Sequence, residues 1–202
     1  MILKTNTILF FLSIIYFYAK NFKNNLSLKI YFLLIVIICL GTAAEGWDLR
    51  SLYLFHAKRI FFDQSLYSVA DNYAVFSHND YPLLPHAFSA SFAFLSGYWH
   101  EVFPKSAYTF FYLAPLIFLS SHIDKKKYLI LLSLIIFFLG THLYDGGIDG
   151  LVAIYFITTA YCIYKIFFSR KNENNNPIFI FSTFLFCVCL SLLKNEGFAL
   201  LV

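Results

Sequence analysis

Four short polar groups interrupt a largely apolar chain, and each contains residues that can do chemistry. The first is Asp48 in EGWDLR, a carboxylate beside Trp47. The second is His78-Asn79-Asp80-Tyr81-Pro82, which sets an imidazole, a carboxylate and a phenol side by side. The third is YDGGIDG, residues 144–150, where Asp145 and Asp149 are wrapped in glycines. The fourth is Lys194-Asn195-Glu196-Gly197, a cation and a carboxylate inside an apolar run.

Each group also has a purely structural reading. Asp48 with Trp47 fits a solvated helix end at a membrane interface. Asp80 fits the cap of the helix that follows, where the first backbone N–H groups lack partners. Asp145 and Asp149 fit a tight turn with a cap, or a pair of hard oxygen ligands for Mg²⁺ or Mn²⁺. Lys194 and Glu196 are the least easily explained by structure alone, because charge at membrane depth is costly and is usually paired or functional. Gly197 beside them permits close backbone approach.

The elements that must position these groups follow from composition. Of 202 residues, 60% are hydrophobic and 13% charged. A soluble domain needs about a quarter charged residues to cover its surface, so lipid is expected to cover the rest. The expected fold is an all-α polytopic transmembrane helical bundle of about 6–7 spans. The apolar runs are 6–19, 28–44, 83–99, 106–121, 128–144, 151–168 and 178–193. They form a single integral-membrane module over 1–202, in which 1–27 is an extra N-terminal span with a basic cytoplasmic loop and 28–202 is the core. No small-residue cleavage site follows the first run, so it reads as a retained span rather than a secretory signal.

Lys20, Lys23 and Lys29 place the first loop in the cytoplasm by the positive-inside rule, and HIDKKK (122–127) and SRKNENNNP (169–177) follow suit. The 45–82 loop, DGGIDG and KNEG then share the outer face of the cell membrane. This requires an odd number of crossings between residues 82 and 122, whereas two apolar runs lie there. One of them is therefore expected to be a partial pass, consistent with Pro104 and Pro115 interrupting helical hydrogen bonding. Within the outer loop, Leu49, Leu52, Tyr53, Ala57 and Ile60 recur at helical spacing, with Arg50, Ser51, Lys58 and Arg59 off the stripe. This predicts an interfacial helix half covered by protein. Pro82 suits the first turn of the next helix. No basic run is long enough to track phosphates, so no nucleic-acid partner is expected. Cys187 and Cys189 lie two apart on a predicted helix and point to nearly opposite sides, which excludes a shared metal or redox pair. The chain closes on KNEGFALLV, which reads as the start of a further apolar segment of a longer protein.

Taken in order, GWDLRSLYLFHAKRIF, HNDYPLLP, a turn ending in IDG, and KNEG resemble the multi-pass glycosyltransferases of the GT-C superfamily. The likeness is to the bacterial branch related to dolichyl-phosphate-mannose protein mannosyltransferases (glycosyltransferase family 39-like) and to aminoarabinose transferases, over residues 28–202. Asn79 stands where that pattern has proline, Asp145 is additional, and span 6–19 precedes the usual first span.

The resemblance implies a polyprenyl-phosphate sugar as donor and a glycan, lipid or protein hydroxyl as acceptor, brought together in membrane lipid. It implies Asp48 as the catalytic base. Arg50, Lys58, His78, Asp80, Tyr81, Asp149, Lys194 and Glu196 would bind substrate, with Arg50, Lys58 and Lys194 facing the departing phosphate. Asp80, Asp145 and Asp149 are its candidate ligands for a divalent Mg²⁺ or Mn²⁺. Two other readings of the chain are a polysaccharide polymerase, ligase or flippase, and an inactive fragment of a transferase.

Overall fold

The computed structural model describes residues 40–41, 44, 46–66, 74–140, 145–168 and 177–201, and among these there is no strand. The predicted spans 6–19 and 28–44 lie outside the described residues, apart from Leu40, Gly41 and Ala44.

The outer-loop helix begins as a π-helical turn, Leu49–Tyr53, and continues as α1, Leu54–Asp63. Its predicted stripe is the buried one: Leu49, Leu52, Tyr53, Ala57 and Ile60 are all in the core. Gln64 ends it in a left-handed conformation. A 3₁₀ turn, Val75–Ser77, follows and leads to α2, Leu84–Ser96. The proline in the first turn of α2 is Pro85, not Pro82, and Leu83 occupies the cap position without a side-chain bond, so Asp80 is not the cap.

Helix α2 has 13 residues and stops at Gly97, whose φ of +79° suits glycine. At 1.5 Å per residue it is about 20 Å long, short of the ~30 Å hydrocarbon core. Of the two runs between residues 82 and 122, it is 83–99 that falls short.

The other run is longer than predicted. Helices α3 (Val102–Phe111) and α4 (Leu113–His122) form one rod of 21 residues, Val102–His122, long and apolar enough to cross a membrane. The irregularity at Tyr112 has a local cause. Pro115 lacks the N–H that would bond to the carbonyl of Phe111. The hydroxyl of Tyr155 donates to that carbonyl instead, at 3.0 Å. Tyr161 does the same for the His122 carbonyl at the end of the rod, at 2.8 Å.

Both tyrosines belong to α6, Asp149–Phe168, the second helix long and apolar enough to span. It is preceded by α5, Lys125–Leu139, which Asp124 caps by accepting from the Lys126 N–H at 3.0 Å. Helix α7, Pro177–Leu193, is apolar but one turn shorter, and α8, Asn195–Ala199, folds back at its end. Two helices therefore meet the length for crossing among the described residues, against the 6–7 expected from hydropathy.

Helices α6 and α7 pack together, and α1 and α3 both pack against α2. Ala57, Ala90, Ala93 and Ala107 are fully buried, and small side chains of this kind allow close helix approach. The outward faces stay apolar: Phe137 and Phe138 on α5, Phe167 and Phe168 on α6, and Phe181 and Phe184 on α7 are all exposed. Cys162, Cys187 and Cys189 are free thiols, while Cys39 lies outside the described residues.

Candidate functional site

The residues leading into the π-helical turn, from Gly46 to Leu49, border a cavity of about 230 Å³. Trp47, Asp48 and Tyr53 line one side; Asp145, Gly147 and Asp149 line the other. The two walls meet because the glycine turn docks on the helix. Gly146 has a φ of +88°, and a Cβ there would lie 2.6 Å from Leu49 Cδ1 and 3.2 Å from Tyr108 Cδ2. Only glycine fits both the angle and the space. Asp145 stabilises the turn by accepting from the Gly147 N–H at 2.7 Å. Ile148 is buried beneath it, and Asp149 opens α6 with its carboxylate exposed.

Lys194 joins a third element to this wall. Its Nζ lies 2.8 Å from Asp149 Oδ1 and 3.3 Å from Glu196 Oε1, and 5.9 Å from the centre of the Tyr81 ring. The Lys194 side chain is mostly shielded, while both carboxylates are open to solvent. Burial works against its charge, but the hydrogen bond and charge of Asp149, reinforced by Glu196, outweigh this and raise its pKa. Gly197 is required for the approach. A side chain there would strike the backbone carbonyl of Leu190 on α7. Next to the lysine, Asn195 Nδ2 donates to Asp80 Oδ2 at 3.0 Å, and His78 Nδ1 sits 3.6 Å from Asp80 Oδ1. The second, third and fourth polar groups of the sequence are thus physically linked, and the first shares a cavity with the third.

A run of aromatic rings supports the assembly from beneath. His78 stacks on Tyr81 at 5.1 Å between centres, Tyr81 lies 6.4 Å from Tyr53, and Tyr53 stacks on His86 at 5.6 Å. His86 in turn is 5.1 Å from His56. His56 Nε2 donates to the Ser77 carbonyl at 2.6 Å, which ties the 3₁₀ turn to α1. Burial, followed by the neighbouring Tyr81 and then the charge of Asp149, raises the Tyr53 pKa, so its hydroxyl stays protonated on the cavity wall. Burial and the nearby Glu196 raise that of Tyr81 too.

Among the residues predicted to bind substrate, His78, Asp80, Tyr81, Asp149, Lys194 and Glu196 converge. Arg50 is exposed on the π-helical turn two residues from Asp48. Lys58 does not join them; it lines a different groove, on the outward side of α1. Asn195, Tyr53 and His56 were not expected. Asn195 sits inside the KNEG group, and Tyr53 was read only as part of the apolar stripe.

The divalent metal expected at Asp80, Asp145 and Asp149 does not fit this arrangement. Asp145 is turned onto its own loop, Asp149 is paired with Lys194, and Asp80 is held by Asn195. Among the described residues no three His, Cys, Asp or Glu side chains converge at metal-ligand spacing. No protein-family model matches the chain, and no curated protein or solved structure does so either.

Proposed function

We propose that this chain acts as a multi-pass membrane glycosyltransferase that moves a sugar from a polyprenyl-phosphate donor to a glycan, lipid or protein hydroxyl at the outer face of the cell membrane. The observation that carries this reading is the meeting of Asp48, Asp149, Lys194, Glu196 and Asp80 from four separate stretches of sequence. The exposed phenylalanines on α5, α6 and α7, with two helices of crossing length, support a lipid setting.

The chemistry follows from the side chains. A carboxylate, ionised at neutral pH, accepts the proton of the acceptor hydroxyl. Asp48, which lines the cavity, is the residue we assign to this role. The acceptor oxygen then forms a bond to the anomeric carbon as the bond from that carbon to the phosphate oxygen breaks, and displacement from the far side inverts the centre. Positive charge that develops on the sugar is stabilised by the carboxylates around it. Lys194, paired with Asp149 and Glu196, and Arg50, two residues from Asp48, would receive the departing lipid phosphate. Trp47, 72% exposed beside Asp48, offers an apolar face to a pyranose ring while the acids accept its hydroxyls.

The test is transfer from a labelled polyprenyl-phosphate sugar in membranes containing the protein. Asp48→Asn is expected to lower the rate about 10²–10⁴-fold without loss of folded protein. Transfer by D48N at the wild-type rate would remove Asp48 as the base, and no turnover of any such donor by the unaltered protein would remove the reading itself.

A further inference from the structure

We infer that the outward groove of α1 is a binding site for an anionic glycerophospholipid, separate from the acid-lined cavity. The groove has a volume of about 430 Å³ and is lined by Phe55, Lys58, Arg59, Phe62 and Asp63. These residues occupy one stripe of the helix, at spacings of three, four and seven, on the side opposite the buried stripe of Tyr53, Ala57 and Ile60. It shares no lining residue with the cavity at Asp48 and Asp149, and the inference does not depend on the proposed reaction.

Its lining has the chemistry of an amphiphile. Phe62 is 62% exposed and lies one helical repeat from Phe55, so two rings bracket the cations and offer apolar surface to acyl chains. Leu66, just past the helix end, is exposed to the same degree. Arg59 Nε is held 3.5 Å from Asp63 Oδ2, which fixes the guanidinium at the groove wall, and Lys58 is exposed beside it. Two cations less one carboxylate leave a single net positive charge in the groove. A phosphodiester carries one negative charge and balances it. A choline or ethanolamine headgroup brings its own cation against Lys58 and does not. Helix α1 buries one face against the protein and leaves this one open, which is the arrangement of a helix lying along a bilayer surface at the depth of the phosphates.

The experiment uses the full chain purified in detergent and stripped of lipid. It is titrated with phosphatidylglycerol and, separately, phosphatidylcholine, and bound lipid is counted by native mass spectrometry. Phosphatidylglycerol is expected to be retained at least about 5-fold more strongly. Lys58→Glu is expected to remove that preference and Phe62→Ala to weaken retention of both lipids, with thermal unfolding unchanged because both side chains are exposed. Equal retention of the two lipids overturns the inference and needs no variant to fold. Full retention of phosphatidylglycerol by K58E also overturns it. Glycerol phosphate that competes as well as the lipid would make this a soluble-phosphate site. Displacement by equimolar polyprenyl phosphate would make it part of the donor path. Either result replaces the inference.

Discussion

Lys194 Nζ donates to Asp149 Oδ1 at 2.8 Å across 45 positions of sequence, and this bond ties the start of α8 to the start of α6. With Glu196 at 3.3 Å on the other side, the lysine separates two carboxylates that would otherwise face each other.

Replacing Lys194 with methionine is expected to destabilise the protein by about 1 kcal/mol, because both partners are largely solvated, and to lower sugar transfer about 10²-fold or more. The alkaline limb distinguishes the ion network from simple packing. The Lys194 pKa is raised in the folded protein, so its contribution is complete below the ordinary lysine value of 10.5 and is lost as pH rises through the higher folded value. The difference in melting temperature between wild type and K194M should hold from neutral pH to about 10 and shrink above that. A difference that does not change with pH would assign Lys194 a packing role.

The histidine pair predicts the acid limb. Helix α2 is too short to span, and burial, followed by the proximity of His56, lowers the His86 pKa from 6.5 to about 3. His56 is lowered as well, chiefly by burial, with its bond to the Ser77 carbonyl acting in the opposite direction and Arg59 adding to the lowering. Groups with depressed folded values stabilise above the unfolded value and lose that contribution as pH falls through the folded one. Stability should therefore decline as pH drops from 6.5 towards about 3. His86→Gln should flatten that decline in a pH series of thermal unfolding. An unchanged slope would place the acid sensitivity elsewhere.

Tyr155 gives a prediction about the long rod. Its hydroxyl supplies the bond that Pro115 withholds from the Phe111 carbonyl. Tyr155→Phe removes that donor and leaves a shielded acceptor, at a cost of about 1–3 kcal/mol. The double variant Tyr155→Phe with Pro115→Ala restores a backbone N–H to the same carbonyl and should recover most of the loss. Unfolding midpoints in a detergent titration would show it, and no recovery would mean that the carbonyl is satisfied by other means.

Much of this arrangement can be read from sequence, for reasons that differ by residue. The stripe of Leu49, Leu52, Tyr53, Ala57 and Ile60 is legible because burial imposes a helical period on apolar side chains. Lys194 and Glu196 are legible as a paired set because charge within an apolar run must find a partner, and it does. Which cation meets the acids is not legible. Lys58 and Lys194 both stand near candidate motifs, and only the rotation of α1 sends Lys58 outward. Hydropathy also counts apolar residues rather than helix length. It merges a helix ended by the positive φ of Gly97 with residues beyond it, and starts the next rod at 106 when the chain coils from Val102. The cap role of Asp80 fails because the helix starts at Leu84 with Leu83 at the cap position, and the carboxylate is held instead by Asn195, 115 positions away, a partner that no local pattern reveals.

The close packing of Gly197 against the Leu190 carbonyl has a consequence for biogenesis. Asp48, Asp80 and Asp149 are all synthesised and positioned before the segment that closes the cluster exists. Asp80 waits 115 residues for Asn195, and Asp149 waits 45 for Lys194. Contacts of such sequence separation form late. Asp80 and Asp149 therefore lack these partners until α8 has folded back on α7. The linked cluster is the last part of the described structure to be made, so a chain held at an earlier stage can have its other helices formed and still lack the cluster.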